Sequence, residues 1–512
     1  MRRGQFGPAV IFLRGGLNLQ NNSKYVSRSV SILLCFLMLL TTPVFGATRR
    51  DITQTQNRQP LLVILIEYND IQFSTCYAED TTAFWSDRFF GETGITANAY
   101  FREVSGPFNL QFTQPKFTVP NGFSECNPVR GVSSLLIQDG VAKVRINRNH
   151  PNRNTIVGSN IALQRDGNLA LRAILPHMDL SGITRFQNRI LSEDLNIYFV
   201  VAGFGFRGPN SGFVPNLHPY MPGHASVREV IDANGRTRNY SFHDNSLRAF
   251  GVSGELFAHG IPLGLGTVVH ELMHLLGLPD LYSFTEGFGI GPFSLMSHGS
   301  SGAYGRGAIR GSMPVHLDAW SKYVLGFIEP IEITYGEHWI GYVESIAGHY
   351  NVLKITNPNV CPYQFFLVEN RQLYGFDRGL DRWWGMYGGI LIYHVDKRVF
   401  EYRGRSYRVN CNNHHQTVSL ERYYGTILMA FFTPFYVEGD VFGPTTTPNS
   451  NFHDTCPEKP QEEQMDCHPQ ILPSGVEIRV NSPSGHKMEV AVRRARNFRG
   501  VGKRQRNGAP AF

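Results

Sequence analysis

Apolar residues along this chain fall into short runs separated by turn-forming residues, and the spacing within each run predicts an element. "PLLVILIEYND", residues 60–70, is an unbroken apolar run that ends in polar residues, which predicts a buried strand entering a loop. "LNIYFVVAGFGF", 195–206, predicts a second buried strand. "TTAFWSDRFF" and "ITANAYFREVSG" carry helical spacing, and Gly106-Pro107 breaks the second. "FNLQFTQPKFTVP" alternates as a strand does, residues 145–160 are rich in Asn and Arg and read as loop, and "NLALRAILPHM" reads as helix. Residues 207–260 are mixed, with many Gly, Pro and Asn. "GTVVHELMHLLGL" and "HLDAWSKYVLGF" are helical. From residue 328 the pattern changes to short apolar runs between turn signals: "QFFLVENRQ", "GGILIYHVD", "GTILMAFF", "GVEIRV" and "KMEVAVRR". The expected fold class is α+β, with one region over 60–327 and a β-rich region over 328–495. No internal repeat is present.

Composition fits a folded protein: 42% of the 512 residues are apolar and 17% charged, which excludes wholesale disorder. The net charge of +7 is modest, and much of the excess lies between Arg493 and Arg506, so no nucleic-acid partner is expected. The basic end, 496–512, reads as a solvated tail. At the other end, Arg2, Arg3, Arg14, Lys24 and Arg28 precede the apolar run "SILLCFLMLL", and small residues follow up to Ala47. That order is the order of an export signal, 1–46, and the run is too short to span a membrane comfortably. Cleavage and no stable membrane association are expected, with a retained anchor as the alternative because the basic leader is long. Residues 47–59 read as a short pro-segment or linker.

Seven cysteines become six once Cys35 leaves with the leader. An even number in an exported chain suggests three disulfides. Proximity in sequence favours Cys76–Cys126, Cys361–Cys411 and Cys456–Cys467 among the fifteen pairings that six cysteines allow. None stands in a C-x-x-C pair. Asn239-Tyr240-Ser241 is the one glycosylation sequon beyond the leader.

The chemistry concentrates in "GTVVHELMHLLGLPDLYSF", residues 266–284. At about 100° per residue, His270, His274 and Glu271 share one side of a helix, and Val268, Val269, Leu272, Met273, Leu275 and Leu276 fill the other. Two imidazoles at i and i+4 can reach one ion, while the glutamate between them stands beside the open coordination position as a general base. Gly277 ends the helix by taking positive φ, and Asp280 can then bring a carboxylate oxygen back to the ion. A chance H-E-x-x-H in such a chain has a probability of roughly a few per cent, and demanding Gly277 and Asp280 as well lowers it to roughly one in ten thousand. The competing reading is a half-exposed helix with solvated histidines.

The extended pattern His270-Glu271-x-x-His274-x-x-Gly277-x-x-Asp280, with "FSLMSHGS" supplying Met296, resembles the metzincin zinc peptidases. Within that clan, "HELMHLLGLPDLY", "SLMSHGSSG", "PLLVILIEYND", "AYFREVSG", "LDAWSKYVLGF" and "FFLVENRQ" are similar to the immune inhibitor A family of metallopeptidases, in order from about residue 60 to 400 and more faintly to 495. The resemblance implies a metzincin-like zinc peptidase domain followed by a β-rich C-terminal domain. It implies one catalytic Zn²⁺ on His270, His274 and Asp280, Glu271 as catalytic base, and Met296 as a floor that does not bind metal. Tyr282 and Tyr304 are candidates for stabilising an oxyanion. The implied activity is secreted, zinc-dependent cleavage of protein or peptide substrates. Family members often carry calcium-like loops before the "VVAG" strand; here "DLSGITRFQNRILSEDLN" has few acids in ligand register, which speaks against structural Ca²⁺. Arg49-Arg50 offers a processing site.

Other polar groups invite plainer readings. His414-His415 read as surface residues, His316 and Asp318 as packing or capping groups, and Glu369-Asn370-Arg371 as an ion-paired strand end. No G-x-S-x-G elbow or phosphate-binding loop is present, which argues against serine hydrolases and NTPases. Two alternatives stand beside the peptidase: a secreted binding protein that keeps the fold without turnover, and a zinc helix completed by a distant glutamate, against which Gly277–Asp280 and Met296 argue.

Overall fold

The computed structural model describes residues 57–151, 156–181, 185–186, 189–190, 195–204, 229–231, 237–239, 250–258, 260–282, 289–381, 388–398, 410, 416–421, 436–453 and 471–495. All belong to one unit of the chain, Arg49–Phe512. The export leader, nearly all of the linker, the basic tail, half of the region considered for calcium, Tyr240-Ser241 of the sequon, His414-His415, "GTILMAFF", Cys411, Cys456 and Cys467 lie outside the described residues.

The first region is built on an eight-stranded sheet. Its strands are β1 (Arg58–Tyr68), β2 (Gln111–Thr113), β3 (Phe123–Cys126), β4 (Val132–Gln138), β5 (Val141–Ile146), β6 (Asn196–Phe204), β7 (Gly251–Ala258) and β8 (Ile261–Pro262). The order is β8-β7-β6-β1-β5-β4-β3, and β2 also pairs with β1. Strands β7, β6, β1 and β5 run parallel, and β8, β4 and β3 add antiparallel edges. A parallel strand is covered on both faces, which is why β1 reads as a continuous apolar run. Leu62, Ile64 and Ile66 face one core with Ala170, Leu171 and Ile174 of α3 (Ile156–Ile174). Leu61, Val63 and Leu65 face the other, with α1 (Thr81–Phe90), α2 (Ala97–Ser105) and α4 (Leu265–Leu275). Asp80 caps α1 by accepting from the N–H groups of Thr82 and Ala83, and Thr96 caps α2 through Ala99.

Beyond residue 328 come two further sheets. The five-stranded one has the order β9 (Ile331–Thr334), β11 (Val352–Asn357), β12 (Cys361–Arg371), β13 (Gly389–Asp396) and β14 (Val418–Leu420). The four-stranded one runs β10 (Trp339–Glu344), β17 (Lys487–Arg494), β16 (Val476–Val480) and β15 (Val441–Phe442). Side-chain alternation makes the five-stranded sheet a middle layer. Phe366, Val368, Ile390 and Ile392 pack on the four-stranded sheet, whereas Phe365, Leu367, Leu391 and Tyr393 join the same core as α4. The change of pattern at 328 therefore marks new sheets laid onto an existing core.

The structure is mixed α/β, with several sheets and few helices, and its first sheet has four parallel strands at its centre. Residues 132–146 hold a hairpin that the pattern reading leaves unassigned; Asp139 and Gly140 turn it with φ of 52° and 77°. The loop expected to 160 ends earlier, at the start of α3. "HLDAWSKYVLGF" yields only one short helix, α5 (Ala319–Val324), because its first three residues run extended into the Asp318 cap. The pairing Cys76–Cys126 is not formed: both are free and exposed. Cys76 lies against Gly260, between β7 and β8, and Cys126 ends β3. These are opposite edges of the sheet, roughly 25–30 Å apart at about 4.8 Å per strand. Cys361 is free and buried beside Gln364. No helix among the described residues is long and apolar enough to cross a membrane.

Candidate metal centre

Helix α4 is buried nearly all round. Its apolar face meets the core as the spacing predicts, but the polar face is buried too: His270 is 7% exposed and Glu271 6%. That removes the solvated-histidine reading, because a buried imidazole needs a partner on each nitrogen.

The partners on the outer nitrogens are backbone carbonyls. His270 donates from Nδ1 to Leu295 O at 2.9 Å, and His274 donates from Nδ1 to Leu278 O at 2.6 Å. A neutral imidazole protonated at Nδ1 presents a lone pair at Nε2. Both Nε2 atoms point into one place, 3.2 Å apart, with the rings crossed at 88°.

Asp280 completes the cluster through the helix exit. Gly277 takes φ of 98°, its N–H bonds to His274 O at 2.9 Å, and the Leu278 N–H bonds to Met273 O at 3.2 Å. This is a Schellman cap, with Leu278 and Met273 in the same core. The turn supplies the Leu278 carbonyl to His274 and sends the chain back so that Asp280 Oδ1 lies 3.1 Å from each Nε2. Yet Asp280 Oδ1 is buried without an aligned hydrogen bond. The two Nε2 atoms and the carboxylate oxygen thus converge on a common point. Ligands of a tetrahedral ion at about 2.0–2.1 Å stand roughly 3.3–3.4 Å apart, close to the spacing here. The triad could hold a metal ion.

The triad is also coupled electrostatically. Burial alone would lower the basicity of His274, but the Asp280 carboxylate and the Leu278 carbonyl outweigh it and hold it above the ordinary imidazole value. Burial would raise Asp280; His274 and His270 instead hold it well below the usual carboxylate range. Glu271 is outside the triad. It lies close to Tyr198 of β6, whose hydroxyl is pushed well up by burial first and by the Glu271 carboxylate second.

The turn around Met296 ties the two sides together. Met296 is fully buried, its carbonyl accepts from the Leu281 N–H at 2.7 Å, and the preceding Leu295 carbonyl is the one that orients His270. Ser294 Oγ accepts from the Met296 N–H at 3.1 Å and donates to Asp318 Oδ2 at 2.6 Å. Asp318 caps α5, accepting from the N–H and hydroxyl of Ser321 at 2.9 and 2.7 Å.

Of the two tyrosine candidates, Tyr282 stacks on His270, with ring centroids 6.4 Å apart at 26°. Tyr304 is half exposed and lies under the Arg378 guanidinium. His298 has no role in the sequence reading, although it follows Met296 in the same turn. Its ring is 6.1 Å from Tyr282, and burial first, then Arg310 and His270, lower its basicity. Glu369 and Arg371 form a buried ion pair at 3.0 Å, and His316 bridges Glu103 at 2.6 Å and Asp377 at 3.5 Å.

A scan against protein-family models finds none that matches this chain, and a search of curated proteins finds no relative.

Proposed function

We propose that this protein is a secreted zinc endopeptidase with a metzincin-like catalytic region, acting on protein or peptide substrates. The observation that carries the reading is the convergence of His270 Nε2, His274 Nε2 and Asp280 Oδ1, each at 3.1–3.2 Å from the others, beside a buried Glu271. Two neutral nitrogens and one carboxylate, with the outer nitrogens bonded to carbonyls, suit Zn²⁺. Held by His270, His274 and Asp280, Zn²⁺ would supply Lewis acidity toward a substrate carbonyl and would lower the pKa of a water molecule there toward about 7.

The chain's own residues do the rest. Glu271 accepts the proton of the attacking water and returns it to the departing amine, a role suited to a carboxylate shielded from bulk solvent. Tyr282, held against His270, is the hydroxyl best situated to stabilise negative charge on the carbonyl oxygen. The Leu295 and Leu278 carbonyls hold the imidazoles in one tautomer, so the lone pairs need no reorganisation. The basic and apolar leader order supports export.

Casein cleavage by the purified full chain, with and without a chelator and alongside Glu271→Gln, tests the reading. Chelation abolishes cleavage, and Glu271→Gln lowers it by roughly 10²–10⁴-fold while zinc stays bound. Cleavage that survives both changes overturns the proposal, and zinc binding without cleavage favours a binding protein that keeps the fold.

A further inference from the structure

A loop beside the metal centre, residues 302–313, carries charge that the proposed chemistry does not use. Its base closes where the Met313 N–H bonds to Gly302 O at 3.1 Å and the Ala303 N–H to Gly379 O at 3.0 Å. Three backbones pack together there, because a methyl at either Gly302 or Gly379 would overlap the Met313 carbonyl. Above the base, the Ala308 N–H bonds to Gly305 O at 3.2 Å and the Ser312 N–H to Ile309 O at 3.0 Å, so the tip is two successive turns.

The returning limb is fixed on α4. Gly266 donates its N–H to Gly311 O at 2.8 Å, and its missing side chain leaves room for the Ser300 carbonyl. Gly266 precedes His270 by one helical turn, so the loop meets the helix roughly 6 Å from that histidine and on the same face. Arg310 Nε donates to Ser301 Oγ at 2.8 Å. The Arg310 charge acts, after burial, on His298, whose ring is 6.1 Å from the Tyr282 ring that stacks on His270. Arg378 bonds to Gly375 O at 3.1 Å and covers the Tyr304 ring at 5.0 Å.

Arg306, Arg310 and Arg378 are all exposed, as are Tyr304 and Ile309 between them. Asp381 meets the loop by accepting from the Gly305 N–H at 3.3 Å, and it pairs with neither Arg306 nor Arg378. Cations therefore outnumber carboxylates on this side of the cleft among the described residues. A guanidinium fork matches the two oxygens of a carboxylate, and a wall of one sign concentrates ligands of the other.

We propose that Arg306, Arg310 and Arg378 make this flank of the metal cleft a subsite for acidic stretches of the substrate. Glutamate or aspartate side chains near the bond to be cleaved meet the guanidinium groups, and apolar neighbours lie on Tyr304 and Ile309. The inference rests on the peptidase reading, because a polypeptide laid along α4 is what brings side chains to this loop.

Fluorescence anisotropy tests it on the full-length Glu271→Gln chain loaded with Zn²⁺, so that binding is read apart from turnover. The probes are labelled peptides of repeating Leu-Glu-Ala units and their Gln and Lys counterparts. Exposed ion pairs each contribute little, and three together make the Glu peptide bind about five- to tenfold more tightly than the Gln peptide, with the Lys peptide weakest. Replacing Arg306, Arg310 and Arg378 together by Gln brings the Glu peptide to the level of the Gln peptide. No binding of the Glu peptide, equal binding of the Glu and Gln peptides, or a difference that survives the triple change overturns the proposal. Should the triple variant fail to fold, the order of the three peptides decides alone. Casein cleavage without a preference for the Glu peptide sinks this inference and leaves the peptidase reading standing, whereas the preference without cleavage does the reverse.

Discussion

Arg371 and Asp280 are buried to nearly the same degree, 2% and 5% exposed, yet their surroundings follow different rules. Around Arg371 every donor meets an acceptor: two carboxylates, two carbonyls and two tyrosine hydroxyls close the network. Around Asp280 the Nδ1 hydrogen bonds go outward, to Leu295 and Leu278, and the two Nε2 atoms and Asp280 Oδ1 face inward onto one point. A closed network is complete as protein alone and serves the fold. A convergent set of acceptors is incomplete without a cation. Burial and charge are alike in the two places; the direction of the hydrogen bonds separates a structural cluster from a candidate metal centre.

Four changes break or sharpen that contrast. Arg371→Met leaves Glu369 and Asp377 buried without their cation, and stability falls by about 3–5 kcal/mol, read by urea unfolding. It also frees the Phe293 and His316 carbonyls, so zinc affinity falls with it. Asp280→Ala does the reverse: zinc affinity, measured by competition with a chromophoric chelator, drops more than about 100-fold, while the metal-free melting temperature moves far less than in Arg371→Met. Equal losses of stability in the two variants would erase the distinction.

Acid acts on the Arg371 cluster next. Burial alone would raise Asp377, but Arg371 first and His316 second lower it from 3.8 to about 2. A carboxyl whose folded pKa lies below its unfolded value contributes stability that is complete above about pH 4 and is lost as pH falls toward 2. The contribution is on the order of 2 kcal/mol. Metal-free protein unfolded by urea between pH 5 and 2 shows this loss, and Asp377→Asn reduces it, leaving the part that Asp280 contributes. The smallest effect belongs to Gly277→Ala. No atom lies near the added methyl, but φ of 98° strains it, at a cost of about 1 kcal/mol in thermal melts. Because that turn places the Leu278 carbonyl on His274, zinc affinity falls several-fold as well. An unchanged affinity would detach the helix exit from the site.

Much of the fold is legible in the apolar runs. β1, β6, β12, β13, β16 and β17 stand where the runs predict them: β1, β6 and β13 are covered on both faces and apolar nearly throughout, whereas β16 alternates buried and half-buried positions. The β4–β5 hairpin carries its own signal, Asp139-Gly140 between alternating stretches, and goes unassigned only because the Asn- and Arg-rich stretch after it dominates the reading. β7 is harder to see. "GVSGELFA" is rich in small and polar residues, and pairing with β6 together with bonds from the Ser74 and Gly203 N–H groups to Glu255 makes it a buried strand. The Cys76–Cys126 pairing fails because sequence proximity says nothing of the order in which strands assemble across a sheet.

For the candidate site, the amino-acid order by itself determined the placing of His270, Glu271 and His274 on adjacent turns and the return of Asp280 after Gly277. Those relations span one helical turn and its exit, where backbone geometry leaves little choice. Only the tertiary structure decided that Leu295 would orient His270, that Tyr282 rather than Tyr304 would stand beside it, and that Arg371 would hold the adjoining loop from a sheet strand 78 residues away. Those contacts depend on which distant carbonyl or guanidinium the packed layers bring opposite the site, and no local periodicity encodes that.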